Sequence, residues 1–283
     1  MENIKKVSND PKLFMYELRK NKKDFIFWGV AIFLVLIIFI FICSKEISVL
    51  QTLSSMTKTL SFISILLKVL NFQNCSGLSI SSLLCFYISL ACKILISFFS
   101  VRLRDYKVNF SNSTFINISE YSSFFIIVYL IYTSYYKYPE TTDTLIDNQL
   151  PFYYICIPTF LFSIPFKPWI FRYWFIDLIW IYSIFLESVS IYPQIRLFSI
   201  KKGQIESFTS NYLILQGLSS VFGIIYWYKS FIIFNDRDSL LLGELCGYLI
   251  MLFEIIKIIS MAYFYALYFK SIIKTRNSKK FDI

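Results

Sequence analysis

The chain contains 283 residues, of which 57% are hydrophobic and 16% charged, and it carries a formal net charge of +10. This composition, with a mean hydropathy of +0.59, lies well outside the balance of soluble domains and excludes a soluble enzyme. The sequence shows no glycine-rich phosphate loop, no nucleophile with a base, no metal-ligating cluster and no histidine. We therefore expect a membrane protein that is not an enzyme and holds neither a metal nor another cofactor.

Apolar windows follow one another along most of the chain. A helix that crosses the hydrocarbon core of a bilayer needs about 20 apolar residues. Eight windows approach that length, at 25–43, 49–70, 78–100, 119–136, 150–164, 173–198, 211–234 and 240–269. The pattern predicts an all-α polytopic protein with eight membrane crossings.

The first window, 25–43, follows a basic segment at 1–24. Its apolar run is longer than the h-region of a secretory signal peptide, which is about 7–15 residues, and no A-x-A-like cleavage site follows it. We expect a retained transmembrane helix. Cleavage as a signal peptide is the alternative, and it would leave seven spans in the mature chain.

Lysine and arginine are concentrated in the two terminal segments, 1–24 and 270–283. Basic segments beside a span tend to stay on the cytosolic side, so we expect two cytosolic tails and an even number of crossings. The basic loop at 196–202 then falls on the cytosolic side, whereas the one at 102–107 falls on the lumenal side. The net charge therefore indicates orientation and attraction to the anionic lipid bilayer, and not nucleic-acid binding.

Two features that are costly in lipid occur within the window 173–198. Glu187 places a carboxylate near its middle, and Pro193, followed by Gln194, interrupts helical hydrogen bonding. An ionisable group at this depth costs at least about 2–3 kcal/mol unless it faces protein or water, and a carbonyl freed by proline needs another donor. We expect this segment to line a cavity between helices.

The string at 186–195 also carries a family resemblance. With Asp177 and Trp180 before it, and with a weaker stretch at 75–79, it resembles the signatures of the KDEL receptors. This family, also called the ER lumen protein-retaining receptors, is a branch of the PQ-loop membrane proteins, and Pro193 and Gln194 stand at its Pro-Gln motif.

The resemblance implies a fold. A seven-helix domain at 49–269 is expected to consist of two three-helix bundles joined by a linker helix, as in the SWEET transporters. The helix at 25–43 would be an addition to this fold. The segments 1–24 and 270–283 would be basic cytosolic tails.

The resemblance also implies a function. Such a receptor binds KDEL-like C-terminal tails of escaped ER-resident lumenal proteins and returns them from the Golgi to the ER in COPI vesicles, so we expect it in ER and Golgi membranes. The coat would contact the cytosolic tail, where Lys279 and Lys280 form an off-register dilysine pattern; in the alternative these lysines only solvate the tail. No nucleic-acid partner is expected.

Five residues are candidate cargo contacts by this resemblance. Lys93 stands where the family has a carboxylate-binding arginine, and Asp177 stands at a glutamate position. Trp180, Glu187 and Trp227 match the family. In the functional interpretation Lys93 holds a tail carboxylate, and Glu187 either organises Lys93 or accepts a hydrogen bond from the cargo. In the alternative Lys93 and Glu187 only neutralise each other, and the tryptophans only pack.

Several other positions depart from the family. Lys58 falls where the first helix has a histidine, and an unperturbed lysine, with a pKa of about 10, does not titrate in the mildly acidic range. Gln51 replaces an arginine, and Ser219 with Ser220 replaces a Tyr-Arg pair. These changes keep the scaffold but remove much of the family's cargo chemistry.

The last window adds charges of its own. Glu254 and Lys257 are three residues apart, so they share a helix face and are expected to pair locally. Two other functions remain open. A PQ-loop transporter of small molecules would use Asp177 or Glu187 as a proton-coupling carboxylate. A receptor-like protein without cargo would act on trafficking through partners.

Overall fold

The computed structural model describes residues 48–102, 114–168, 171, 173–201, 207–235 and 245–278. Helices make up most of these ranges, and no β-strand occurs in them. The predicted helix at 25–43, the basic segment at 1–24 and the tail lysines Lys279 and Lys280 lie outside the described residues.

The described ranges contain nine α-helices, which are numbered in chain order. They are α1 (Ser48–Phe72), α2 (Ile80–Arg102), α3 (Thr114–Tyr132), α4 (Thr144–Gln149), α5 (Tyr153–Ser163), α6 (Trp174–Val189), α7 (Tyr192–Ile200), α8 (Ser207–Asn235) and α9 (Cys246–Ser278). A π-helical turn, Thr133–Lys137, prolongs α3, and a short 3-10 helix, Pro139–Thr141, follows it.

Five apolar segments of the described chain are long enough to cross a membrane. They are Val49–Phe72, Ile80–Phe99, Thr114–Lys137, Trp174–Ile200 and Cys246–Tyr268. The α5 helix is apolar but short, as its sequence window predicted, and α8 is long enough but is interrupted by polar residues. The protein is therefore an all-α polytopic membrane protein, which confirms the predicted fold class.

The contacts between helices form two triplets. In the first, α3 packs against both α1 and α2; in the second, α9 packs against α8 and against α6 with α7. The triplets meet where α1 contacts α8 and where α2 contacts α6, and α5 lies on α6. Two three-helix bundles with α5 between them along the chain is the arrangement expected of a SWEET-like fold.

An apolar core fills the end of the molecule that contains the α1–α2 turn. Phe62, Phe86, Phe198, Tyr212 and Phe264 are buried in it and come from five helices. The rings of Phe62 and Phe86 meet edge to face, with centroids 5.4 Å apart. This packing leaves the polar residues of α1, α2 and α9 to meet nearer the opposite end.

The helix predicted at 173–198 is interrupted. It consists of α6 and α7, which are separated by a turn at Ser190 and Ile191 just before Pro193. The segment still forms one apolar span, Trp174–Ile200, and the interruption expected at Pro193 occurs because proline cannot donate a main-chain hydrogen bond and its ring crowds the preceding turn. The Ser82 hydroxyl of α2 donates to the Ser190 carbonyl over 2.6 Å. A neighbouring helix thus supplies a hydrogen-bond donor to a main-chain carbonyl at the break.

Gln194 joins this break to the turn before α2. Its Oε1 accepts a hydrogen bond from the Ser79 backbone N–H over 2.9 Å, and its Nε2 donates to the Gly77 carbonyl over 2.6 Å. Gly77 has a φ of +77°, a conformation that a glycine adopts without a steric penalty. The Pro-Gln pair thus bends one helix and holds the start of another.

Acidic side chains close the same end of the molecule. Asp147 of α4 accepts hydrogen bonds from the Ser79 hydroxyl and from the backbone N–H groups of Ile80 and Ser81, so it caps α2. Asp143 pairs with Lys201, which follows α7. These contacts tie three interhelical loops together and leave the opposite end of the bundle as the side on which a cavity opens.

Candidate functional site

A polar cavity of about 60 Å³ lies between the two triplets. Side chains from α1, α2, α3, α6, α8 and α9 line it. Six of the lining residues are charged, and we call them the charged cluster: Lys58, Lys93, Glu120, Glu187, Glu254 and Lys257. A cavity of this size holds a few water molecules or the polar end of a longer ligand.

Glu187 is the centre of the charged cluster. Its Oε1 lies 2.8 Å from the Lys58 Nζ and 3.6 Å from the Lys257 Nζ, and its Oε2 accepts a hydrogen bond from Lys93. A buried carboxylate is tolerated when cations and hydrogen bonds replace the water it has lost. The prediction that Glu187 faces protein instead of lipid is confirmed, since the residue is 9% exposed.

Helix geometry sets the depth of these side chains. Glu187 comes about 20 Å after the start of α6 and Lys58 about 15 Å after the start of α1, at 1.5 Å per residue. The hydrocarbon core is about 30 Å thick, so both residues lie near mid-membrane. Charges at such a depth are characteristic of ligand and ion pathways.

Two further carboxylates complete the cluster. Glu120 lies 3.8 Å from the Lys93 Nζ, and Glu254 lies 3.8 Å from the Lys257 Nζ. The predicted local pairing of Glu254 and Lys257 is therefore confirmed. What the spacing did not predict is that Lys257 also approaches Glu187 of another helix.

The two candidate tryptophans occupy different places. Trp227 lines the cavity, whereas Trp180 is 8% exposed and packs among apolar side chains behind it. Their rings meet at 70°, with centroids 6.1 Å apart. Trp180 thus fixes the orientation of the ring that faces the cavity.

Asp177 lies apart from the charged cluster. It is fully buried, and its Oδ1 accepts a hydrogen bond from the Phe171 backbone N–H over 3.0 Å. It precedes Glu187 by about 15 Å along α6 and does not line the cavity. A direct contact of Asp177 with a ligand stays a prediction.

Small residues where α1 meets α8 narrow the cavity. The hydroxyls of Ser54 and Ser219 each donate to the other's backbone carbonyl over 2.8 Å. A Cβ atom on Gly223 would lie 3.4 Å from Glu254 Oε2. Gln51 and Gly223 both line the cavity, and the small residues at this contact bring α1 and α8 together beside the charged cluster.

Cysteines contribute to packing in the described ranges. Cys75, Cys85, Cys156 and Cys246 are buried free thiols that pack as small core residues. The Sγ atoms of Cys85 and Cys156 lie 3.8 Å apart where α2 meets α5. Within the part of the chain that the structure describes, no group of three potential ligands could hold a metal ion.

Sequence reasoning brought together Lys93, Glu187 and Trp227 but missed three members of the site. Glu120 was not singled out, and Lys58 was considered only as the replacement for a histidine. Lys257 was assigned only a local partner. The available signal was that each charge falls inside an apolar window, which in a polytopic protein indicates an inward-facing side chain.

The known proteins that this chain resembles carry the same family description. The model of the family described as ER lumen protein retaining receptor matches residues 74–230. The ER lumen protein-retaining receptor of Dictyostelium discoideum is 29% identical over 220 residues, which cover 75% of this chain and 88% of the relative. The ER lumen protein-retaining receptor 3 of Xenopus laevis is 30% identical over 183 residues, covering 64% of this chain and 77% of the relative.

Proposed function

Because this chain belongs to the ER lumen protein-retaining receptor family, we propose that it binds KDEL-like C-terminal tails of escaped lumenal proteins and returns them from the Golgi to the ER. It is a multi-pass membrane protein of the secretory pathway. The observation that carries the proposal is a cavity between two helix triplets that presents three lysines at mid-membrane.

A tail ends in a carboxylate, and the charged cluster offers cations to bind it. Lys93 has 21% of its side chain exposed, against 5% for Lys58 and 4% for Lys257, so it is the lysine that an entering carboxylate reaches first. Glu187 keeps Lys58 and Lys257 beside it if Lys93 turns toward a ligand. The site can therefore exchange one ion pair without leaving Glu187 uncompensated.

The position of the cavity fits a lumenal ligand. The loop containing Lys201, which is predicted to be cytosolic, pairs with Asp143 at the end that the polar loops close. The cavity lies beyond the apolar core from that end. On this orientation a lumenal tail enters without passing the core.

Lysine replaces arginine in this recognition. A guanidinium binds a carboxylate through two parallel hydrogen bonds, whereas an ammonium acts as a compact charge with rotatable donors. Three lysines around one space supply the charge but impose less orientation on the ligand. We expect tail binding to be weaker, and less selective for the orientation of the ligand carboxylate, than in an arginine-based site.

Retrieval requires a cytosolic contact with the COPI coat, which we assign to the C-terminal tail. The α9 helix continues to Ser278, beyond the apolar segment that ends at Tyr268, and leads directly into the tail lysines. Residence in both ER and Golgi membranes follows from such cycling. A lumenal C-terminus would rule out this assignment.

The function is tested by measuring how tail peptides bind the purified full-length chain at about pH 5.5 and about pH 7.2. A peptide with a free C-terminal carboxylate is expected to bind, and the same peptide with an amidated end is not. Absence of binding at both pH values, with folded protein, would reject the proposal. Displacement of a bound tail peptide by free amino acids would favour the transporter alternative.

Lys93→Met tests the role of Lys93 in tail binding. It is expected to weaken tail binding at least about tenfold, because a ligand carboxylate loses its most accessible cation. Lys229→Met is the control, since Lys229 is an exposed lysine of α8 that does not line the cavity. Equal losses in the two variants would contradict the role of Lys93.

A further inference from the structure

The charged cluster is electrically balanced. Its three lysines and three glutamates have formal charges that cancel, and no arginine lines the cavity among the residues that the structure describes. In a buried site each ion pair is close to neutral, and an added net charge is poorly solvated. The balance therefore limits the net charge of any ligand that enters.

Glu254 adds a demand for a hydrogen-bond donor. The residue is 5% exposed and lines the cavity, yet its Oε2 has no hydrogen-bond partner among the described residues. Lys257 lies 3.8 Å from this oxygen, which is too long for a hydrogen bond, and it is also 3.6 Å from Glu187. A buried carboxylate oxygen without a donor is costly, so a cationic donor on a ligand would be stabilised there.

The opposite demand arises at Lys93. This residue is the most exposed lysine of the cluster and bonds to Glu187. Glu120, at 3.8 Å, is too distant to hold it by a hydrogen bond. The cavity thus offers a cation near its opening and an unsatisfied carboxylate oxygen within.

We infer, building on the proposed function, that the cavity selects zwitterionic tails of zero net charge. The ligand's terminal carboxylate binds Lys93, and its amine or guanidinium donates to Glu254 Oε2. A tail with additional acidic residues brings charge that the balanced cluster does not compensate. The preferred signal therefore pairs one basic side chain with the C-terminal carboxylate and has neutral residues between them.

The test uses acetylated tetrapeptides of nearly constant shape. Lys-Asn-Gln-Leu, Lys-Asp-Gln-Leu and Lys-Asp-Glu-Leu have net charges of zero, minus one and minus two. Fluorescence-detected competition against the full-length protein is expected to show affinity falling about tenfold for each added acid. A fourth peptide with norleucine in place of lysine, Nle-Asn-Gln-Leu, is expected to bind less tightly than Lys-Asn-Gln-Leu.

Two variants separate the charge rule from the contact with Glu254. Glu254→Gln and Glu120→Gln each remove one negative charge, so in both the preferred peptide is expected to become the one with charge minus one. Both variants are expected to reduce the advantage of lysine over norleucine, because the norleucine peptide itself has a charge of minus one. The reduction is expected to be larger in Glu254→Gln, since that variant also loses the contact with the lysine amine.

The outcomes are distinguishable. Tightest binding of Lys-Asp-Glu-Leu by the unaltered protein would overturn the charge rule while leaving tail binding intact. A reduction of the preference for lysine over norleucine that is the same in Glu254→Gln and Glu120→Gln would overturn the assigned contact. Failure of all four peptides would overturn both this inference and the tail-receptor function.

Discussion

Glu187 is surrounded by three lysines from three other helices, and this arrangement has a stability consequence. Removing one member of a buried ion pair leaves an uncompensated charge, which costs far more than the pair itself contributes. The other carboxylates of the cluster cannot take over, since Glu120 and Glu254 each already face one lysine. Glu187 is thus the residue on which the balance of the cavity depends.

Glu187→Met is expected to lower the free energy of unfolding by about 3–5 kcal/mol, because Lys58, Lys93 and Lys257 lose their shared partner. The measurement is reversible unfolding in mixed micelles. The double variant Lys58→Met with Glu187→Met is expected to lose less, since the remaining two lysines face two glutamates. A double variant less stable than Glu187→Met would contradict this account.

The sequence predicted part of this residue-scale picture. Glu187 stands out because a carboxylate inside an apolar run is expensive, and the family resemblance added Lys93. Lys58 and Glu120 could not be assigned as partners, because their contacts join helices that are far apart in the chain. A single sequence shows that a buried charge needs a partner, but not which helix supplies it.

At the scale of elements, the break between α6 and α7 is coupled to the start of α2. Gln194 satisfies one donor and one acceptor of the Gly77–Ser79 turn, and the Ser82 hydroxyl satisfies the carbonyl of Ser190. Each of these groups is buried away from water. The bend in one triplet is therefore stabilised by the other triplet.

Gln194→Leu is expected to destabilise the protein by about 1–3 kcal/mol, because the Ser79 N–H and the Gly77 carbonyl lose their partner in a buried site. Arg196→Leu, an exposed position of the same helix, is the control and is expected to change stability by less than about 0.5 kcal/mol. Thermal unfolding in detergent compares the two. Equal effects would show that the Gln194 contacts contribute nothing specific.

Element boundaries were predicted with uneven success. The windows at 49–70 and 78–100 correspond to α1 and α2 within a few residues, since long apolar runs bounded by polar turns define helices well. For the break at Ser190 and Ile191, the sequence predicted only that Pro193 would leave a carbonyl without its helical donor. Its donor, Ser82, belongs to a helix that no local pattern relates to the break.

At the scale of the molecule, the two triplets explain why a polar cavity exists. Each triplet buries apolar side chains within itself, and the loops close one end through Asp143, Asp147 and Gln194. The charged side chains are left where the triplets meet. The eight predicted crossings and the two-bundle arrangement followed from hydropathy and resemblance, but the size of the cavity depends on packing at Ser54, Ser219 and Gly223.

Topology gives the whole-molecule prediction. Epitope tags before Met1 and after Ile283 are both expected to be stained when only the plasma membrane is permeabilised, because both basic tails are predicted to be cytosolic. Tags on the loop at 103–113 are expected to need permeabilised internal membranes. A lumenal tag at either end would contradict the even number of crossings.

The central claim is that tails bind in the cavity between the triplets, and photo-crosslinking tests it most directly. A tail peptide with a photoreactive group beside its C-terminal leucine is added to the full-length protein, and the crosslinked residues are identified by mass spectrometry. The account predicts crosslinks to cavity-lining positions such as Ser55, Ile116 and Trp227, lost with excess unlabelled tail. Competable crosslinks confined to lipid-facing residues such as Phe125 and Ile259 would contradict it.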